Sequence, residues 1–118
     1  MERISQPVKW KRTLRWIRRA FPTKKRTVVR SLSDKAMGKD CGELVEERGV
    51  WVIRVNKQQS MSLRIDTLLH EYAHALSLGV LKGEEYEEPH SPEWGVAYAR
   101  VYRAFLEWNF GRGPEEDE

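Results

Sequence analysis

Two of the chain's three histidines stand four residues apart in His70-Glu71-Tyr72-Ala73-His74, an H-E-x-x-H pattern. Four residues at 1.5 Å rise make about one helical turn. Both imidazoles then leave one face and can converge on a single ion at about 2.0–2.1 Å. Glu71 stands beside this pair, able to take a proton from a metal-activated water without occupying a coordination position. With 3 His in 118 residues, chance supplies roughly 0.009 such matches, so the pattern is read as chemistry rather than coincidence. A catalytic zinc takes three protein ligands and keeps one position open. His90 is the remaining histidine and the preferred third donor; Glu93, nearly one turn further on, is the competing one.

The elements that must position these residues are read from periodicity. Ile65, Leu68, Leu69, Tyr72, Ala73 and Leu76 step by three and four, which predicts a helix that carries the motif and ends near Gly79. Ser91-Pro92-Glu93 supplies an N-cap, a first-turn proline and a first-turn acid for a final helix whose buried face is Trp94, Ala97, Tyr98, Val101, Phe105 and Trp108. Upstream, Trp10, Leu14, Ile17 and Phe21 form one stripe, predicting a helix over Val8 to Ala20 with its arginines and lysines on the other faces. Thr27 to Leu32 is β-branched and reads as a strand. Glu43–Glu47 and Val50–Val55, joined by Arg48-Gly49, read as a hairpin. The stretch with Gly38 and Gly42 reads as a loop, and Cys41 as a small, half-buried residue near a turn. The expected class is α+β: an N-terminal helix, a small three-stranded sheet with a hairpin, the metal-binding helix and a C-terminal helix. Residues 1–113 form one domain in this reading, and 114–118 an acidic disordered tail.

Composition narrows the alternatives. The single cysteine excludes a disulfide scaffold and a multi-thiolate zinc site. No run approaches the roughly 20 apolar residues of a membrane span, and the first residues lack a secretory apolar core, so an intracellular, cytoplasmic protein without membrane contact is expected. The net charge of +3 hides a polarity: residues 1–30 hold eleven basic residues against Glu2, whereas Glu84 to Glu88 and the tail are strongly acidic. Arg12, Arg15, Arg18, Arg19, Lys24, Lys25 and Arg26, with Trp16 among them, could meet phosphates and stack on bases; a solvated face is the plainer reading. The Glu84–Glu88 stretch is likewise read as solvated.

The run from Asp66 through His70-Glu71-Tyr72-Ala73-His74 to Leu76, followed by His90-Ser91-Pro92-Glu93-Trp94, resembles the SprT-like zinc metallopeptidases, whose helix motif precedes an H-G-x-x-F type segment. The resemblance spans roughly Gly38 to Trp94 and includes the hairpin. It implies a minimal zincin fold, one catalytic zinc held by His70, His74 and His90, and Glu71 as general base. Ser91 stands where the family has glycine, and the cysteine zinc ribbon of longer relatives is absent from this sequence.

The function expected from this is a zinc-dependent peptidase acting on peptide or protein substrates, DNA-associated proteins among the candidates. The alternative is a nucleic-acid-binding module whose zincin-like core holds a structural or vestigial metal. Val50 to Val55 is expected to flank the cleft and to receive an extended substrate by strand addition. Tyr86, Tyr98 and Tyr102 are given no role.

Overall fold

The computed structural model describes residues 6–38, 40–78 and 92–111. In chain order it contains α1 (Gln6–Ala20), β1 (Thr27–Leu32), α2 (Asp34–Met37), β2 (Gly42–Glu47), β3 (Val50–Asn56), α3 (Met61–Leu78) and α4 (Pro92–Gly111). The class is α+β, with four helices and one three-stranded mixed sheet. Among the described residues no helix is long and apolar enough to cross a membrane.

Helix α1 starts two residues earlier than the apolar stripe predicts, because Pro7 suits a first helical turn, where its missing N–H costs nothing. Trp10 and Ile17 are buried as expected. So is Thr13, off the apolar stripe, whose hydroxyl donates to the Lys9 carbonyl at 2.8 Å and is thereby satisfied. The stretch read as a loop holds one helical turn, α2. Ser33 caps its start, and Gly38, at φ 62°, closes it in the left-handed region. Cys41 is exposed, not half-buried.

The sheet order is β1-β3-β2, with β1 parallel and β2 antiparallel to β3. This corrects one expectation. Val50–Val55 lies in the central strand, so both its edges are already hydrogen-bonded and it cannot accept an extended substrate. The reason is visible in its burial: Trp51, Val52, Ile53 and Val55 are all buried, on both faces, as befits a strand flanked on two sides. The edge strand beside α3 is β2.

Helix α3 lies at the centre of the core. Ile65, Leu68, Leu69 and Tyr72 pack with Ile53 and Val55 of β3, Trp10 and Ile17 of α1, and Val101 and Phe105 of α4. Tyr72 is 1% exposed, and its hydroxyl donates to the Phe21 carbonyl at 2.7 Å, tying the end of α1 to α3. Trp16 packs into this assembly as well, stacked on Trp108 at 5.1 Å and edge-on to Phe21 and Phe105. Its ring is thus half-buried and engaged by three aromatic neighbours, where the sequence placed it among the arginines of the basic face.

At the first residue of β2 the edge strand touches α3 without a side chain between them. A Cβ on Gly42 would lie 2.4 Å from Thr67 Cγ2, 3.1 Å from the Arg54 carbonyl oxygen and 3.4 Å from Glu71 Cγ. The Thr67 hydroxyl donates to Gln59 Oε1, and Gln59 Nε2 donates to the Cys41 and Asn56 carbonyls, so the crowding methyl belongs to a rotamer held in place. Gly42→Ala is expected to lower stability by about 1–3 kcal/mol in urea melts. Adding Thr67→Ser, which deletes the clashing methyl, should recover part of that loss; an unchanged midpoint for Gly42→Ala would disprove the close approach.

Candidate metal centre

The i, i+4 spacing of His70 and His74 on α3 places both rings half-buried on one face, with centroids 5.2 Å apart and planes at 67°. Two imidazoles gripping one ion at about 2.0–2.1 Å, roughly tetrahedrally, have centroids about 5 Å apart. The separation of the pair matches that of two imidazoles on a shared ion. From the opposite face of α3 the Tyr72 hydroxyl donates to the carbonyl of Phe21, the residue that follows α1.

Glu71 turns from the same helix toward the start of β2. Burial, and after it the nearby Glu43 carboxylate, pushes its carboxyl up from 4.5 to about 7. Glu43 is itself held by Arg54, whose Nη1 donates to it at 2.9 Å while Nη2 donates to Glu47 at 2.7 Å. A carboxyl poised near neutral pH is suited to taking and returning a proton.

Helix α4 closes the imidazole face. The Trp94 indole stacks on His74 at 5.3 Å and 27°, and lies tilted against His70 at 4.8 Å; its Nε1 donates to the His70 carbonyl at 3.2 Å. Tyr98 stacks on the other side of Trp94 at 5.1 Å and 11°. Its hydroxyl donates to Asp66 Oδ1 at 3.0 Å, and burial together with that carboxylate pushes the phenol up to about 12.

Of the predicted donors, the structure brings His70 and His74 together; His90 lies outside the described residues. Glu93 turns elsewhere, lining a cavity of about 530 Å³ with Phe21, Pro22, Leu76, Val96 and Arg100. Among the described residues no group of three His, Cys, Asp or Glu side chains converges. The sequence reading missed Glu43, for which no local signal exists, since only the folded hairpin carries it to Glu71. It placed Trp94 on a core face; the aromatic's position just after His90 was the available hint. Of the basic residues, Arg15, Arg18, Arg19, Lys24 and Arg26 are exposed and Arg12 is half-buried. Lys25 is engaged, paired with Glu46 and placed 4.3 Å over the Trp51 ring.

A mixed sheet backing an H-E-x-x-H helix, with a last helix closing over the histidines, is consistent with a zincin-like domain of metallopeptidase type. A family model described as the SprT-like family matches residues 8–113, and the chain belongs to that family. No curated protein and no solved structure gives a significant match.

In the metal-free protein the raised Glu71 carboxyl has a direct consequence for stability. The folded state keeps a proton that the unfolded chain releases between pH 4.5 and about 7, so stability falls as pH rises through that window and levels off above it. Glu71→Gln removes this slope. Solvent reaching the half-buried group keeps the effect to roughly 1–2 kcal/mol. With a chelator present, the variant is expected to match wild type near pH 5 and to exceed it near pH 8; identical melting profiles at both pH values would exclude a buried acid here.

Proposed function

We propose that this chain is a zinc-dependent peptidase in which His70, His74 and His90 hold the ion and Glu71 is the general base. The observation that carries the reading is the arrangement on α3: two half-buried imidazoles at the spacing of a shared ion, with an adjacent carboxyl raised to about 7. When bound, the ion supplies Lewis acidity toward water and the scissile carbonyl. Glu71 takes the proton of the attacking water and delivers it to the leaving amine. Burial against Gly42 and β2 fixes the carboxyl's position and keeps it from being levelled by bulk water. An extended peptide substrate runs along the free edge of β2, the edge strand that meets α3 beside Glu71, and pairs its backbone there.

Glu71→Gln is expected to retain zinc while peptide hydrolysis falls by roughly 10²–10⁴-fold. Undiminished turnover would reject the mechanism. Metal analysis separates the third donors: His90→Ala should lose zinc affinity and Glu93→Ala should not, in keeping with Glu93 facing a different cavity.

A second function is favoured by the exposed Arg15, Arg18, Arg19, Lys24 and Arg26: a polyanion, DNA or RNA, held along α1 and the segment that follows it. Binding of this kind weakens steeply with salt. Replacing the five by serine should abolish it and leave zinc content unchanged; salt-independent binding would eliminate this face as the contact.

A further inference from the structure

We propose that Trp94 and Tyr98 are positioning residues for the imidazole pair: α4 clamps the two rings into metal-ready orientation through a stacked aromatic column fastened to α3 at two points. This rests on the reading of His70 and His74 as metal ligands. The column runs His74–Trp94–Tyr98–Tyr102, with successive planes inclined by 27°, 11° and 29° and centroids 5.3, 5.1 and 5.9 Å apart. Its two middle rings are pinned to α3, Trp94 by its indole N–H on the His70 carbonyl and Tyr98 by its hydroxyl on Asp66, one turn before His70.

Stacking uses the face of an imidazole, whereas coordination uses a nitrogen lone pair in the ring plane, so the indole can hold His74 without competing for the ion. The tilted contact at 4.8 Å, and Tyr98 at 5.7 Å, restrain the second ring, His70. A solvent-facing imidazole otherwise samples several side-chain rotamers, and binding an ion would have to freeze two of them. Here that ordering is done by folding. Outer-shell groups that fix the orientation of a ligand ring by hydrogen bonding commonly change metal affinity by about 10–100-fold when removed, and the same scale is expected for a ring fixed by stacking.

The test uses the full chain, with Co²⁺ as the probe ion and its visible absorption as the reading of affinity, alongside proton NMR of the metal-free histidines. In wild type the His74 ring protons should be shifted upfield by the indole face, and Trp94→Leu should return them to ordinary positions. Trp94→Leu should weaken Co²⁺ binding about 10–100-fold, and Trp94→Phe, which restores an aromatic face, should recover most of it. Tyr98→Phe, which deletes only the anchoring hydroxyl, keeps the column folded and should weaken binding severalfold. Phe105→Leu, a core change on the same helix, should lower the melting temperature and leave affinity alone. Equal affinity in wild type and Trp94→Leu overturns the proposal, as does an equal loss in Phe105→Leu. Absence of Co²⁺ binding by wild type despite the upfield shifts overturns the ligand reading, and the positioning role with it.

Discussion

Helix α3 is under two opposed demands, and most of the fold answers them. It has to be buried on most of its circumference to be stable, yet the strip with His70, Glu71 and His74 has to stay reachable. The core cluster satisfies the first demand: Ile65, Leu68, Leu69 and Tyr72 are sealed between the sheet, α1 and α4. The second is met by what borders the strip. On one side Gly42 brings the edge strand to Glu71 with no side chain between, and on the other Trp94 covers the faces of the imidazoles.

The same placement sets the electrostatics. A carboxyl wedged against β2 is partly cut off from water and faces Glu43, and both effects favour the protonated form. The Arg54 guanidinium is committed to Glu43 and Glu47, so it anchors the hairpin's outer carboxylates. The end of α1 is tied to α3 by the Tyr72–Phe21 bond.

Much of the architecture could be read locally. Apolar residues spaced by three and four marked α1, α3 and α4, and Arg48-Gly49 between two β-rich runs marked the hairpin, with left-handed φ of 53° and 78° at those two residues. H-E-x-x-H announced the imidazole pair because a helix turns that spacing into one face. α2 escaped notice although Ser33 and Gly38 carry both of its caps, since four residues offer no periodicity to detect.

What the chain's order of residues determined was therefore everything governed by contacts within a turn or two: helix and strand identity, the caps, the pairing of His70 with His74. Tertiary packing alone decided that β3 is the central strand, that Trp16 is spent on Trp108, that Glu43 faces Glu71 and that Glu93 turns away from the histidines. Each of these joins segments remote in the chain, and such neighbours follow from how apolar faces are shared among elements, which no spacing within a single element records.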